Sequence, residues 1–161
     1  MLEGAGVEAI ADVRRFPSSR RHPQFAAEAL AGALRGAGID YEWLGEELGG
    51  RRRPRRDSPN DAWRVGAFRA YADHMETDEF ARGLERLERI AGERRVAFMC
   101  AEADWRRCHR RLIADALAAR SWSVVHIARD GRLSRHELPG FASVGGGRIA
   151  YASQPQLPRR S

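Results

Sequence analysis

Apolar and polar residues along the chain follow two rhythms, one of period two and one of period 3.6. Residues 7–13 (VEAIADV) are short, β-branched and largely apolar, the pattern of a buried strand. In RRFPSSRRHPQF, Pro17, Pro23 and the serines predict a loop. Residues 26–36 (AAEALAGALRG) predict a helix rich in alanine and leucine, stopped by Gly36 and Gly38. IDYEWL places Ile39, Tyr41 and Trp43 on one face of a second strand. Residues 49–62 hold five arginines and two prolines without apolar periodicity, and predict a long exposed loop. Residues 63–75 predict a helix carrying Trp63, Phe68, Tyr71 and Met75. A cleaner helix follows: Thr77 caps it, Phe80, Leu84, Leu87 and Ile90 recur at helical spacing, and Gly92 closes it. VAFMC, ending at Cys100, reads as a strand buried on both faces. Next come a helix over residues 108–120 with Leu112, Ile113, Ala116 and Leu117 inward, a strand SVVHI, and an Asp130-Gly131 hairpin turn into RLSRHEL.

This alternation predicts a single α/β domain over residues 1–141, with a largely parallel sheet flanked by helices and a C-terminal hairpin. The glycine run and SQPQLPRRS of residues 142–161 read as a flexible tail. Ligands of open parallel sheets sit beyond the carboxyl ends of the strands. The loops after Val13 and after Met99 are therefore the segments to inspect.

Composition narrows the classes. A chain of 161 residues with 43% hydrophobic and 31% charged residues excludes a disordered or fibrous protein. No apolar run reaches the roughly 18–20 residues of a membrane span, and MLEGAGVEAIADVRR lacks the order of a signal peptide. Two cysteines are too few for a secreted disulfide framework, which points to the cytoplasm. The net charge is +6, and all 28 basic residues are arginine. Genomic base composition explains such a bias without function; the guanidinium fork would also suit planar anions. Lysine Schiff-base chemistry is excluded.

The chemistry-bearing segment is CAEADWRRCHRR, residues 100–111, between a buried strand and a helix. A helix N-terminus and neighbouring arginines favour thiolate over thiol, and His109 is placed to act as base or cation partner. That makes a coherent thiol-nucleophile site. Structural readings stand beside it: Cys100 as a core residue, His109 satisfying a carbonyl, Glu102 and Asp104 capping the helix. The spacing Cys100-x5-Arg106 matches a cysteine-phosphatase loop, yet the loop has no glycine and carries two acids. Zinc on Cys100, Cys108, His109 and an acidic residue is disfavoured because adjacent helical residues such as Cys108 and His109 point about 100° apart. A reversible Cys100–Cys108 disulfide fits the spacing. At the other strand end, Asp12, Arg14, Arg20 and Arg21 form either a solvated loop or an arginine clamp facing Cys100. Residues 51–56, with Trp63 and Tyr71 nearby, would suit nucleic-acid phosphates.

DVRRFPSSRRHPQF, YEWLGEELGGRRRP, FRAYADHM, VAFMCAEADWRRCHRRLIADAL and VVHI, in this order, resemble the domain of unknown function (DUF) family 488. The resemblance spans residues 7–141, and CAE…CHR is its most specific part. It implies a small bacterial α/β protein without an established activity. Asp12, Arg14, Arg20, Tyr41, Gly49, Gly50, Tyr71, Cys100, Glu102, Asp104, Cys108, His109 and Arg110 fall on the family's motif positions. The family usually opens with a strand ending Thr-Ile-Gly-His-Ser and a helix; here MLEGAGVEA stands first, which implies either a misassigned start or a clipped domain. In the clipped case the expectation is a missing first strand and an exposed edge beside residues 9–13. Trp105 replaces a frequent family proline. The layout also resembles rhodanese-like domains, an architectural likeness only.

The favoured expectation is a thiol-dependent hydrolase or transferase with an anionic small molecule or nucleic acid as partner, and no cofactor or membrane. Cys100 is its nucleophile or sulfur carrier, with His109, Glu102 and Asp104 in proton transfer. Arg14, Arg20, Arg106 and Arg110 bind the anion, supported by Asp12, Tyr41, Tyr71 and Cys108. The alternatives are a non-catalytic nucleic-acid-binding module and a redox regulator using both cysteines.

Overall fold

The computed structural model describes residues 1–153. Strand β1 (Ala9–Asp12) pairs in parallel with β2 (Asp40–Trp43) on one side and β3 (Val96–Met99) on the other. All of β1 is buried, as the apolar run requires. Its side chains alternate between two cores: Ile10 packs with Val7, Leu34 and Ile39, whereas Ala11 and Val13 join the larger cluster beneath the opposite face. The expectation of an exposed edge beside residues 9–13 is therefore corrected, because β1 is the central strand. The edges of the sheet are β2 and β3, and the residues of β3 are half-buried rather than sealed on both faces.

Helix α1 (Ala27–Gly36) joins β1 to β2 and covers the smaller core. A short α2 (Gly45–Leu48), too brief to show a period in the sequence, follows β2. The larger core lies among α2, α3 (Gly66–His74), α4 (Asp78–Glu93) and α5 (Arg110–Ala119). Thr77 caps α4 as expected, its Oγ1 accepting from the Phe80 N–H at 3.2 Å. The helix runs through Gly92 to Glu93 instead of stopping there. Leu112, Ile113, Ala116 and Leu117 all face inward from α5.

SVVHI departs from the expected parallel order. Strand β4 (Val125–Ile127) pairs only with β5 (Leu133–Arg135), antiparallel, across a turn in which Gly131 adopts φ +81°. The flexible-tail expectation is also corrected for the described part of residues 142–161. Strands β6 (Ser143–Gly145) and β7 (Arg148–Ala150) form a hairpin that delivers Tyr151 into the core at 1% exposure. Tyr151 packs edge-on against Trp63, and its hydroxyl donates to Asp115 Oδ2 at 2.7 Å. One buried aromatic anchors what glycine content alone made look mobile. Residues 154–161 lie outside the described part. Among the described residues no helix is long and apolar enough to cross a membrane.

The ends of β1 and β2 approach so closely that the intervening position admits no side chain. A Cβ on Gly45 would lie 1.9 Å from the Arg14 carbonyl oxygen, which is backbone and cannot swing aside. Gly45→Ala should therefore lose about 3 kcal/mol or more in urea unfolding. Gly32→Ala, mid-helix in α1 with nothing within 4 Å, should gain about 0.5–1 kcal/mol. Equal responses of the two variants would refute the close approach.

Candidate active site

Asp12 ends β1 and is fully buried. Its carboxylate accepts from Arg14 Nε at 2.8 Å and Nη2 at 2.5 Å, and from the Tyr41 hydroxyl at 2.7 Å. Arg14 Nη1 donates to the Phe25 carbonyl at 2.7 Å, which draws the loop after β1 back over the sheet end. Asp12 holds the Arg14 guanidinium above its ordinary pKa. Burial, then the bond to Asp12, pushes the Tyr41 hydroxyl up. Arg14 is therefore neutralised and fully bonded: it builds the loop and has no free fork for a ligand.

That loop, residues 50–51 and the end of β3 enclose a hollow of about 680 Å³. Cys100, half-buried, and His109 line it, with Cys108 behind at 4% exposure. Cys108 has extended backbone and His109 precedes the first residue of α5, so the 100° helical separation does not apply to this pair. The His109 ring is oriented from behind. Its Nε2–H donates to the Val13 carbonyl at 3.1 Å, and its Nδ1 faces the Cys108 sulfur at 3.6 Å. Cys100 Sγ, Cys108 Sγ and His109 Nδ1 all lie within 4.8 Å of one another, near enough to hold one soft metal ion together. Gly50 permits this packing, since a Cβ there would press on His109 Nδ1 at 2.8 Å. Tyr71, buried and donating to the Leu48 carbonyl at 2.6 Å, rests its ring 5.1 Å from that of His109.

The two thiols titrate as a pair. The S–H of Cys100 donated to Cys108, aided by His109 and the Arg110 N–H, holds Cys108 well below the ordinary thiol range against the opposing effect of burial. Donation to Cys108, burial and the charge on Cys108 push Cys100 up. The pair thus keeps one proton and one negative charge across neutral pH.

The remaining expected groups are dispersed. Glu102 and Asp104 are spent on the loop: Glu102 Oε1 accepts from the Asp104 N–H at 3.1 Å, and Asp104 Oδ1 from the Arg106 N–H at 3.0 Å. Neither lines the hollow. Arg106 covers the Trp105 ring at 4.6 Å, Arg110 Nη2 donates to the Glu102 carbonyl, and Arg20 is exposed outside the lining. Of the arginine loop, Arg52 is bound to the Gly49 and Glu46 carbonyls at 2.8 and 2.6 Å and is not free for phosphate. Arg14, Arg15 and Arg51 line the wall, and with Arg14 held by Asp12 the cations left to face a ligand are Arg15 and Arg51. Arg15 Nη1 is buried with no partner among the described residues. Arg51 is held at φ +58°, a left-handed conformation costly to a residue with a Cβ.

The family described as "Domain of unknown function DUF488" matches residues 1–117. The chain belongs to that family. Neither curated proteins nor solved structures yield a match. The matched span of this DUF488 chain contains the whole of the thiol hollow. Reading by sequence missed Arg15, whose only mark was position beside Arg14, and placed Arg51 in a phosphate-binding loop instead of at the thiol hollow. It also missed Asp115, His126 and His136, although an aspartate among the inward residues of LIADAL was a visible signal.

Charge shared between two sulfurs has a kinetic signature. Iodoacetamide should label Cys100 at a rate nearly constant from pH 6 to pH 8. In Cys108→Ser the rate should rise roughly tenfold per pH unit, as for an ordinary thiol. A wild-type profile as steep as that of the variant would exclude the shared proton.

Proposed function

We propose that this protein is a thiol-dependent hydrolase or transferase acting on an anionic substrate that carries a phosphoryl or sulfonate-type group. The observation that carries the reading is a proton-sharing dithiol beside His109 at the floor of a hollow with Arg15 and Arg51 on its wall. Cys100 is the attacking sulfur because it lines the hollow; Cys108, its sulfur within 4.8 Å, takes its proton. Arg15 and Arg51 hold the oxygens, and the left-handed backbone of Arg51 is strain of the kind found at binding sites. With a phosphate ester, sulfur attacks phosphorus and the alkoxide leaves with the bonding pair and a proton. With thiosulfate, sulfur attacks the outer sulfur, an S–S bond to Cys100 forms, and sulfite leaves with the pair from the broken bond. Zinc held by the same three donors would compete with this chemistry and abolish the free thiolate.

Intact-mass spectrometry after incubation with an aryl phosphate or with thiosulfate separates the two substrate chemistries. The first adds a phosphoryl group to Cys100, the second one sulfur atom. Cys100→Ser should abolish the adduct, and Arg15→Met or Arg51→Met should slow its formation about tenfold or more. Absence of any Cys100 adduct from both classes would reject the reading.

The proximity of the sulfurs favours a second reading, reversible oxidation. Peroxide would oxidise one sulfur to a sulfenic acid with loss of hydroxide, and the other would displace water to close the disulfide.

A further inference from the structure

A second hollow, of about 480 Å³, lies on the other side of the loop after β3 and shares only Met99 with the first. Its walls are the open edge of β3, with Val96 and Phe98, and the facing segment of β4, with Val124 and Ile127. The size suits a small molecule, and the lining is mostly apolar. His126, Arg110 and Trp105 also line it.

His126 is the outer end of a buried hydrogen-bond chain. Asp115, fully buried, accepts from the Tyr151 hydroxyl at 2.7 Å and from His136 Nε2 at 2.7 Å. A carboxylate can only accept, so His136 donates from Nε2, and in the neutral ring its Nδ1 is then an acceptor. His126 Nε2 lies 2.9 Å from that Nδ1 and must therefore donate. The chain of three residues assigns the His126 tautomer, leaving Nδ1 as a lone pair with no partner among the described residues. Trp105 stacks on His126 at 3.6 Å with the rings parallel, and fixes the plane of the imidazole. Burial first, then the charges of Arg110 and Arg106, bring His126 down to about 4, so the ring is a neutral acceptor at pH 7. Arg110 supplies the complement. Its Nη2 is tied to the Glu102 carbonyl, while its Nε–H is buried without an acceptor among the described residues. A buried donor left unpaired is costly, and a pairing ligand removes that cost.

We propose that this cleft binds a small, flat, apolar molecule with a neutral lactam edge, an N–H beside a C=O. The ligand N–H donates to His126 Nδ1, its carbonyl accepts from Arg110 Nε, and its apolar body lies between β3 and β4. A carboxylate would satisfy Arg110 but face a lone pair at His126; an alkane would satisfy neither.

The pair 2-pyridone and N-methyl-2-pyridone tests the claim, because the methyl group replaces the N–H that His126 would accept from. Long-range proton–nitrogen NMR of the histidines in the whole chain should show free His126 protonated on Nε2 alone. Titration with 2-pyridone should shift its Nδ1 resonance saturably, with the thiol-hollow residues unmoved. N-Methyl-2-pyridone should bind at least tenfold more weakly, and Arg110→Met should weaken 2-pyridone by a similar factor. Equal binding of the two pyridones, no saturable shift at His126, or a proton found on Nδ1 of the free protein would overturn the assignment. These wild-type comparisons decide it even where a variant fails to fold.

Discussion

A buried ion pair at the end of the central strand organises the face that carries the two thiols. Asp12 has no exposure, and its carboxylate is saturated by Arg14 and Tyr41, groups that reach it from the loop after β1 and from β2. Removing one partner of such a pair leaves an uncompensated charge in low dielectric, at a cost of about 3–5 kcal/mol. The remaining donor of Arg14 then ties the loop carbonyl at Phe25. This arrangement turns the chain back over the carboxyl ends of β1 and β3, and the thiol hollow is the space beneath it. The guanidinium that looks most like a ligand clamp is thus the beam that supports the site.

The chemistry within the hollow depends on sulfur–sulfur proximity more than on any one thiol. Each cysteine alone would be an unremarkable half-buried or buried thiol, raised by desolvation. Placed together beside His109, they divide one proton unequally, and the charge settles on the inner sulfur where the Arg110 N–H and His109 meet it. His109 is in turn aligned by the carbonyl of Val13, so the strand that carries Asp12 also orients the imidazole. Asp12, the last residue of the central strand, and Val13, which follows it, therefore set both the wall and the floor.

The loop from Cys100 to His109 serves two cavities. Toward β1 it presents sulfur; toward β4 it presents Trp105 and Arg110. Glu102 and Asp104 hold it rigid through backbone N–H groups, which explains acidic residues in a segment otherwise crowded with arginine. On the far side, the Asp115–His136–His126 chain fastens the C-terminal hairpin strands to α5, and its outer member His126 lines the cleft.

The elements with a strong period were legible in the chain itself. The strand at 7–13, the α4 helix with its Thr77 cap, the inward face of α5 and the Asp130-Gly131 hairpin all follow from local sterics and side-chain spacing. So was the segment that carries the thiols, because its cysteines, histidine and arginines are close in sequence. Tertiary structure decided the rest. Which strand is central, which cations are free and which are consumed, and where β4 pairs are matters of contacts between distant residues. Arg14 and Arg15 are indistinguishable by composition, yet Asp12 neutralises one and leaves the other facing the hollow. Tyr151 and Asp115 are 36 residues apart, and only folding brings them to 2.7 Å. Charge availability depends on partners, and partners of this kind are not neighbours in sequence.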